Sequence, residues 1–298
     1  MILVVSILCG LCVSNMIVIV LTMELTLFVF VFMVLSSQVL GGARVAVKYL
    51  LVQSVGSVLL LMSSICTFLP LKDTTLLIML ALIGIWMKLG AFPLHFWVVP
   101  VSAELPFYLL GLLSSPMKLL PIWTMAEIYV KFGTELISFI IMLFGVSSMI
   151  TGLMLGLMSS TLRRILGASS VSHAGWFMFG ICSGHFLEYF VAYTLSVVIV
   201  VIGLSGGSGV IGSLSLLSLA GLPPFSVFVG KVLVLSAILQ NDTMMVFAIV
   251  ALLVSFLSLF YYLKFAARLF VNNTVNGYMT FSALTLLLLN LVSVIFLL

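Results

Sequence analysis

The chain has 298 residues, of which 64% are hydrophobic and 6% charged, against roughly 25% charged in a soluble domain, which excludes a water-soluble fold. Eleven Lys and Arg against seven Asp and Glu leave a formal charge of +4, too thinly spread to neutralise a run of phosphates, so nucleic acid is not expected as a partner. At about 20 apolar residues per crossing of roughly 30 Å of hydrocarbon, the length fits about eleven transmembrane helices.

The expected fold is therefore all-α and polytopic, a single transmembrane domain over residues 1–298. Met1-Ile2-Leu3-Val4-Val5 has neither the basic n-region of a secretory signal nor the Arg-rich pattern of a transit peptide, and it is expected to enter the membrane as the first helix. With polar residues, Pro and Gly read as punctuation, the crossings fall near 2 to 21, 22 to 41, 46 to 69, 74 to 92, 105 to 128, 134 to 158, 164 to 184, 187 to 205, 210 to 240, 243 to 268 and 278 to 298. Cys9 and Cys12 form a C-x-x-C pair inside the first of these. No second pair completes a metal site, and Cys66 and Cys182 sit in other apolar segments, so all four are read as small hydrophobes packing in the membrane.

The ninth segment is too long for one straight crossing and carries Pro223-Pro224 in its middle, where successive prolines remove backbone donors and break the helix. The fourth similarly runs into Pro93 and Pro100. A broken helix at bilayer depth is tolerated only where protein or a water-filled cavity satisfies its freed carbonyls, and transporters place such breaks in inverted repeats along an ion path.

Cationic residues collect on the side from which insertion occurs. Arg44, Lys48, Arg163, Arg164, Lys264 and Arg268 lie beside the loops after even-numbered crossings, against Lys72 and Lys131 after odd-numbered ones. The N-terminus shares the positive side, which in an inner mitochondrial membrane is the matrix. An odd number of crossings then puts the C-terminus on the opposite face.

Lys88, Lys118 and Lys231 remain, each flanked by long apolar sequence. A charge at bilayer depth costs from about 2.5 to more than 10 kcal/mol, and such residues usually face a protein interior and serve transport. Burial disfavours a charged amine and a nearby carboxylate favours it, so a movable partner charge can switch such a lysine. Glu24, the one acid interrupting the apolar run from Met16 to Leu35, is the candidate partner, and a Glu24 to Lys88 ion pair is expected. The plainer reading is that lysines near helix ends snorkel to the interface. His173, within Ser169-Ser170-Val171-Ser172-His173, suits proton relay near neutrality and equally suits a hydrogen-bonded structural role. His95 and His185 fall near predicted membrane edges and are read as interfacial.

Gly207-Ser208-Gly209-Val210-Ile211-Gly212 matches G-x-G-x-x-G, but a dinucleotide site needs a preceding strand and an acid about 20 positions on, where this chain has Lys231. These glycines are read as a connection or close helix contact, and Gly152 and Gly156 likewise as helix packing. The sequence contains no G-x-S-x-G elbow, H-E-x-x-H or P-loop.

Four stretches resemble a known family in order along residues 20 to 235. They are Lys48-Tyr49-Leu50-Leu51-Val52-Gln53-Ser54, Met87-Lys88-Leu89-Gly90-Ala91-Phe92-Pro93-Leu94-His95-Phe96-Trp97, Leu162-Arg163-Arg164-Ile165-Leu166-Gly167-Ala168-Ser169-Ser170-Val171-Ser172-His173-Ala174-Gly175-Trp176, and Leu217-Ser218-Leu219-Ala220-Gly221-Leu222-Pro223-Pro224. They are similar to the family shared by the antiporter-like membrane subunits of respiratory complex I and the multi-subunit cation/proton antiporters, with mitochondrially encoded members the best match.

The resemblance implies antiporter-like inverted repeats with two broken helices, the N-terminal helices of the fuller family fold being absent. It also implies a proton relay through Glu24, Lys88, Lys118, His173 and Lys231, and no redox cofactor on this chain. NADH, FMN, iron-sulfur clusters and ubiquinone would be bound by other subunits. The implied partners are other membrane-arm subunits, including neighbouring antiporter-like ones, and lipid such as cardiolipin. The pattern departs from the family at Val99-Pro100-Val101, where an acid usual in the middle position is missing or shifted to Glu104, and at Val229-Gly230, where the family usually has a proline beside the lysine. Two other readings stay open: an independent cation/proton antiporter subunit, and a non-conducting structural membrane subunit.

Overall fold

A computed structural model describes residues 1–39, 41–66, 74–205, 209–223, 225–240 and 244–272. Those residues form thirteen helices and no strand: α1 Ile2–Cys12, α2 Met16–Ser36, α3 Gly42–Cys66, α4 Thr74–Leu89, α5 Val98–Glu104, α6 Phe107–Ser114, α7 Pro116–Phe132, α8 Glu135–Met158, α9 Leu162–Ser183, α10 Phe186–Ser205, α11 Gly209–Ala220, α12 Ser226–Ile238 and α13 Met245–Asn272. Among the described residues seven spans are long and apolar enough to cross a membrane, with α6 and α7 together making one of them. The eleventh expected segment lies outside the described residues.

The chain divides into two compact units, Met1–Ile140 and Ile141–Leu298, with the boundary inside α8. In the first, α1 and α3 pack on α2, α4 packs on α3, and α7 lies against α1, α2 and α4. Helix α2 shows how the membrane sorts residues. Leu21, Leu25, Phe28, Phe32 and Leu35 form an exposed stripe at helical spacing, whereas Thr22, Met23, Thr26, Leu27 and Phe30 are buried. Against hydrocarbon the large apolar side chains gain nothing by hiding, so they cover the outer face, and the buried face admits the small polar Thr22 and Thr26 beside Met23, Leu27 and Phe30.

The same rule sets the α3–α4 approach. A methyl placed on Gly84 would come 2.9 Å from the Gly56 carbonyl, and one on Gly56 3.2 Å from the Gly84 carbonyl. In the second unit α11 packs against α10 and α13, and α12 against α9 and α10. Helix α9 is its centre: every residue from Ile165 to Ile181 is buried, as expected of a helix enclosed on all sides. Its serines return their hydroxyls to the preceding turn, Ser169 to the Leu166 carbonyl at 2.9 Å and Ser170 to the Gly167 carbonyl at 3.0 Å.

Several expectations change in detail. The first predicted crossing, 2 to 21, is interrupted at Val13–Asn15, because the Asn15 side chain accepts the Ile17 N–H and starts α2 there. Cys9 and Cys12 do not pack in a core. The buried face of α1 is Leu3, Ser6, Ile7 and Gly10, and both cysteines stand off it, free and exposed. The predicted crossing at 105 to 128 is divided at Ser115, where the backbone leaves the helical region just before Pro116 opens α7. Proline suits that first helical position, where its missing N–H has no partner to lose. Gly152 and Gly156 do serve packing, toward different helices: Gly152 lies under Ala168 and Ser172 of α9, Gly156 under Tyr261 of α13. Gly209 and Gly212 lie inside α11, and the element before them is the helix α10.

Candidate functional site

Two places where helices stop short position the lysines. Helix α4 ends at Leu89 because Gly90 takes φ +68°, a left-handed conformation that only glycine adopts without strain. Three carbonyls of its last turn are accounted for. The Ala91 N–H donates to the Trp86 carbonyl at 3.0 Å and the Gly90 N–H to the Met87 carbonyl at 3.3 Å, the paired bonds of a glycine-terminated helix. The Trp97 indole adds a bond to the Met87 carbonyl at 3.1 Å, and the buried Gln53 amide of α3 reaches the Lys88 carbonyl at 3.3 Å. Protein groups thus replace the solvent that a helix end would otherwise need. Helical structure resumes at Val98, and Pro100 falls in the first turn of α5, where a missing N–H is tolerated.

Lys88 sits in that last turn, 6% exposed, where the negative end of the helix dipole favours a cation. Its stem rests on Gly56, a methyl there lying 3.1 Å from Lys88 Cγ. Glu24, half-buried on α2, interacts electrostatically with Lys88. The expected ion pair is not formed, however, since the two groups are not within the 4.0 Å of a salt bridge. Tyr49 of α3, fully buried, also feels the Glu24 charge and stacks edge-on with Phe30 and against Trp97. Lys118, 4% exposed on the first turn of α7, belongs to the same unit. The snorkelling reading fails for all three lysines, because a side chain that reaches the interface would be exposed there.

In the second unit another helix end lies beside a buried lysine. Helix α11 ends at Ala220 because Gly221 takes φ +79°, and α12 begins at Ser226, whose hydroxyl donates to the Ala192 carbonyl of α10 at 3.3 Å. Lys231, 8% exposed on α12, points back across the interruption and donates to the Ala220 carbonyl at 3.0 Å. Its ammonium lies 5.4 Å from the centre of the Trp176 ring, within range of a cation–π attraction. Gly221 is required twice there, for its φ and because a methyl would come 3.0 Å from Lys231 Nζ.

His173, one turn before Trp176 on α9 and 3% exposed, places Nδ1 2.6 Å from the Tyr189 hydroxyl and its ring 4.6 Å from that of Tyr193. Trp176 and Tyr189 are 6.0 Å apart, so they link the lysine and the histidine. An imidazole and a phenol in that contact can exchange a proton in either direction. His185 pairs with Glu188 at 3.7 Å and is partly exposed, and His95 stacks on Phe92. Among the described residues no three His, Cys, Asp or Glu side chains converge as a metal site.

Sequence reading missed Trp176, Tyr189 and Tyr49. Aromatic residues are ordinary in apolar helices, and only the spacing of Tyr189 and Tyr193 on one face of α10 hinted at a shared role. Gln53, a lone amide in an apolar run, was a legible signal.

Apolar helices interrupted at glycine, each holding a buried lysine at the interruption, define a polytopic antiporter-like membrane protein. The family described as NADH:quinone oxidoreductase/Mrp antiporter, transmembrane, matches residues 13–211, and the chain belongs to it. It is 32% identical over 260 residues to NADH-ubiquinone oxidoreductase chain 2 of Albinaria caerulea, covering 87% of this chain and 84% of that one. The protein of the same name from Lumbricus terrestris is 29% identical over 263 residues, covering 81% and 77%. Among solved structures, a chain of Thermus thermophilus respiratory complex I with bound Aureothin superposes with TM-score 0.80 at 18% identity, covering 99% of this chain and 75% of that one. A chain of the Mrp complex from Dietzia sp. gives 0.74 at 18% identity, covering 94% and 60%.

Proposed function

We propose that this chain is subunit 2 of the membrane arm of respiratory complex I and contributes to proton translocation coupled to electron transfer from NADH to ubiquinone. The observation that carries the mechanism is the burial of Lys88, Lys118 and Lys231 at 6%, 4% and 8% exposure in an apolar chain. Charges there are costly unless they have work to do. The relay runs over Glu24, Lys88, Lys118, His173 and Lys231. Glu24 and Lys88 interact without touching, so a small change at either shifts the other's charge state without breaking a bond. Lys231 binds one carbonyl and one aromatic face, contacts that do not neutralise it. A proton added or withdrawn there changes the local charge outright.

Moving one charge against the membrane potential takes about 2.3 kcal/mol per 100 mV, which quinone reduction elsewhere in the complex supplies. This chain carries no redox centre, and NADH, FMN, iron-sulfur clusters and ubiquinone reside on other subunits. It forms a single antiporter-like domain of about eleven crossings with two broken helices, α4/α5 and α11/α12, in inverted repeats. It lies in the mitochondrial inner membrane with its N-terminus in the matrix and its C-terminus in the intermembrane space. Neighbouring antiporter-like subunits and lipid such as cardiolipin contact its exposed apolar faces.

Native-gel separation of gently solubilised membranes, stained for NADH dehydrogenase activity and followed by mass spectrometry, tests the assignment. The chain is expected at stoichiometric abundance in the active band. Its presence only in a separate, NADH-inactive complex would favour the second reading, an independent cation/proton antiporter subunit, which the likeness to the Mrp chain supports.

A further inference from the structure

Two exposed cations of α13 stand apart from the relay, near the place where α8 ends. Lys264 lines a cavity of about 290 Å³ between the last turn of α8 and the side of α13, close to the roughly 300 Å³ at which pockets begin to hold small ligands. Gly156, Tyr261 and Phe265 are buried and form its inner wall, where a methyl on Gly156 would come 2.8 Å from Tyr261 Cε1. Leu157 and Phe260 are exposed and form its rim. Lys264 stands about 29 Å along α13 from Met245, at roughly 1.5 Å per residue. That is about the thickness of a hydrocarbon core, so the cavity lies at a membrane edge.

Both charges converge on a ring of the cavity wall. The Lys264 ammonium lies 6.0 Å and the Arg268 guanidinium 5.9 Å from the centre of the Phe265 ring, and both side chains are exposed. Like charges four residues apart on a helix repel, and among the described residues neither cation has a carboxylate within salt-bridge distance. Glu188, the one acid among the described residues of this unit, pairs with His185 at 3.7 Å beyond the far end of α9. The chain leaving Ser159 on the cavity wall leads instead to two further cations, Arg163 and Arg164. An anion at the cavity mouth would offset the repulsion, and the rim decides which anion. On α13 Leu253, Phe256, Leu257 and Phe260 form an exposed stripe leading to it, and on α8 Ile150, Met154 and Leu157 form another. Both stripes continue from surface that faces hydrocarbon, so the ligand that fits carries an apolar chain beneath its charge.

We propose that this cavity holds an anionic phospholipid, with its phosphate between Lys264 and Arg268 and one acyl chain against Leu157 and Phe260. The inference rests on the reading above that lipid contacts the exposed apolar faces, and gives that lipid a site and a headgroup charge. Basic pockets between transmembrane helices take such headgroups at the membrane edge. A free inorganic phosphate would meet the two cations but leave the apolar rim uncovered, and a zwitterionic headgroup would bring a cation of its own against them.

The test uses the assembled complex, purified in detergent and exchanged into micelles of phosphatidylglycerol or, separately, phosphatidylcholine, each with a photoreactive group in one acyl chain. After illumination the labelled peptides are identified by mass spectrometry. Phosphatidylglycerol is expected to label the peptides of Leu157 and Phe260 in preference to phosphatidylcholine. At about 1 kcal/mol per cation facing an anionic headgroup, Lys264→Gln should weaken that labelling about fivefold, and Lys264→Gln with Arg268→Gln about twenty-fivefold, with phosphatidylcholine labelling unchanged. Equal labelling by the two lipids, or phosphatidylglycerol labelling that survives the double substitution, overturns the site. So does full displacement of the label by inorganic phosphate at an ionic strength matched with chloride, or a crosslink of Phe260 to a neighbouring subunit in place of lipid. Should the double variant not assemble, the comparison of the two lipids on the unaltered complex and Lys264→Gln alone decide. Absence of both labels from exposed residues such as Phe28 and Phe32 would refute lipid contact itself, whereas labels there and none at Leu157 and Phe260 would refute this site alone. No proton pumping enters the readout, so failure of the relay and failure of the site are separate results.

Discussion

Four glycines among the described residues, Gly41, Gly90, Gly184 and Gly221, share the left-handed conformation but differ in what surrounds them, and a comparison of two isolates the contact at Lys231. Gly184 has φ +82° with nothing within 4 Å of an added methyl, whereas Gly221 has φ +79° with Lys231 Nζ 3.0 Å from one. Alanine at either position carries the left-handed strain of about 1–2 kcal/mol. At Gly221 it also pushes the ammonium away by a few tenths of an ångström, roughly, from the Ala220 carbonyl that it now meets at 3.0 Å, to the edge of hydrogen-bonding range. A bond from a charged donor contributes about 1.5–3 kcal/mol. Its loss would reduce the population of the engaged lysine by about tenfold or more, at 1.4 kcal/mol per factor of ten. NADH-driven proton uptake by the complex in liposomes is the assay. Gly221→Ala should lower protons pumped per NADH while Gly184→Ala, with the same backbone strain, should not. Equal pumping by the two variants would refute the claim that Lys231 must hold the Ala220 carbonyl to function.

Gln53→Leu leaves the Lys88 carbonyl unpaired in the membrane, a cost of about 1–3 kcal/mol. It should lower the temperature at which NADH:ubiquinone activity is lost in a thermal-inactivation series. Gly84→Val drives a branched side chain into the Gly56 carbonyl, already 2.9 Å from a methyl, where overpacking costs about 1–3 kcal/mol or more; native gels should show less assembled complex. Glu24→Gln removes the carboxylate charge that acts on Lys88 without changing side-chain size. Steady-state pumping should fall while assembly on the same gels is retained.

The buried lysines were legible because a charge in an apolar run is conspicuous, and the prolines signalled that helices end near Lys88 and Lys231. The exact ends were not legible. Helix α4 stops at Gly90, ahead of Pro93, and α11 stops at Gly221, ahead of Pro223. A glycine in the left-handed region ends a helix whether or not a proline follows, and the Leu89-Gly90 and Ala220-Gly221 pairs were the available signal. The Glu24 to Lys88 contact was half legible. The sequence indicates that an acid and a base share the membrane, but their separation depends on how α2 and α4 pack through α3. The exposed cysteines of α1 were misread because hydrophobic residues turn outward in lipid, so an apolar residue type does not reveal which face is buried. Lys231's carbonyl and aromatic contacts were beyond sequence reasoning, since they join α12 to the end of α11 and to the middle of α9.

The central claim is that the buried lysines carry protons, and Lys231→Met tests it most directly, because methionine keeps the unbranched stem and removes the charge. The measurement is proton uptake per NADH oxidised by the assembled complex in sealed liposomes, with assembly verified on a native gel. The account predicts complex of normal abundance that pumps fewer protons per NADH than the unaltered complex. Normal pumping by normally assembled Lys231→Met complex would contradict it and leave Lys231 a structural residue that closes the end of α11.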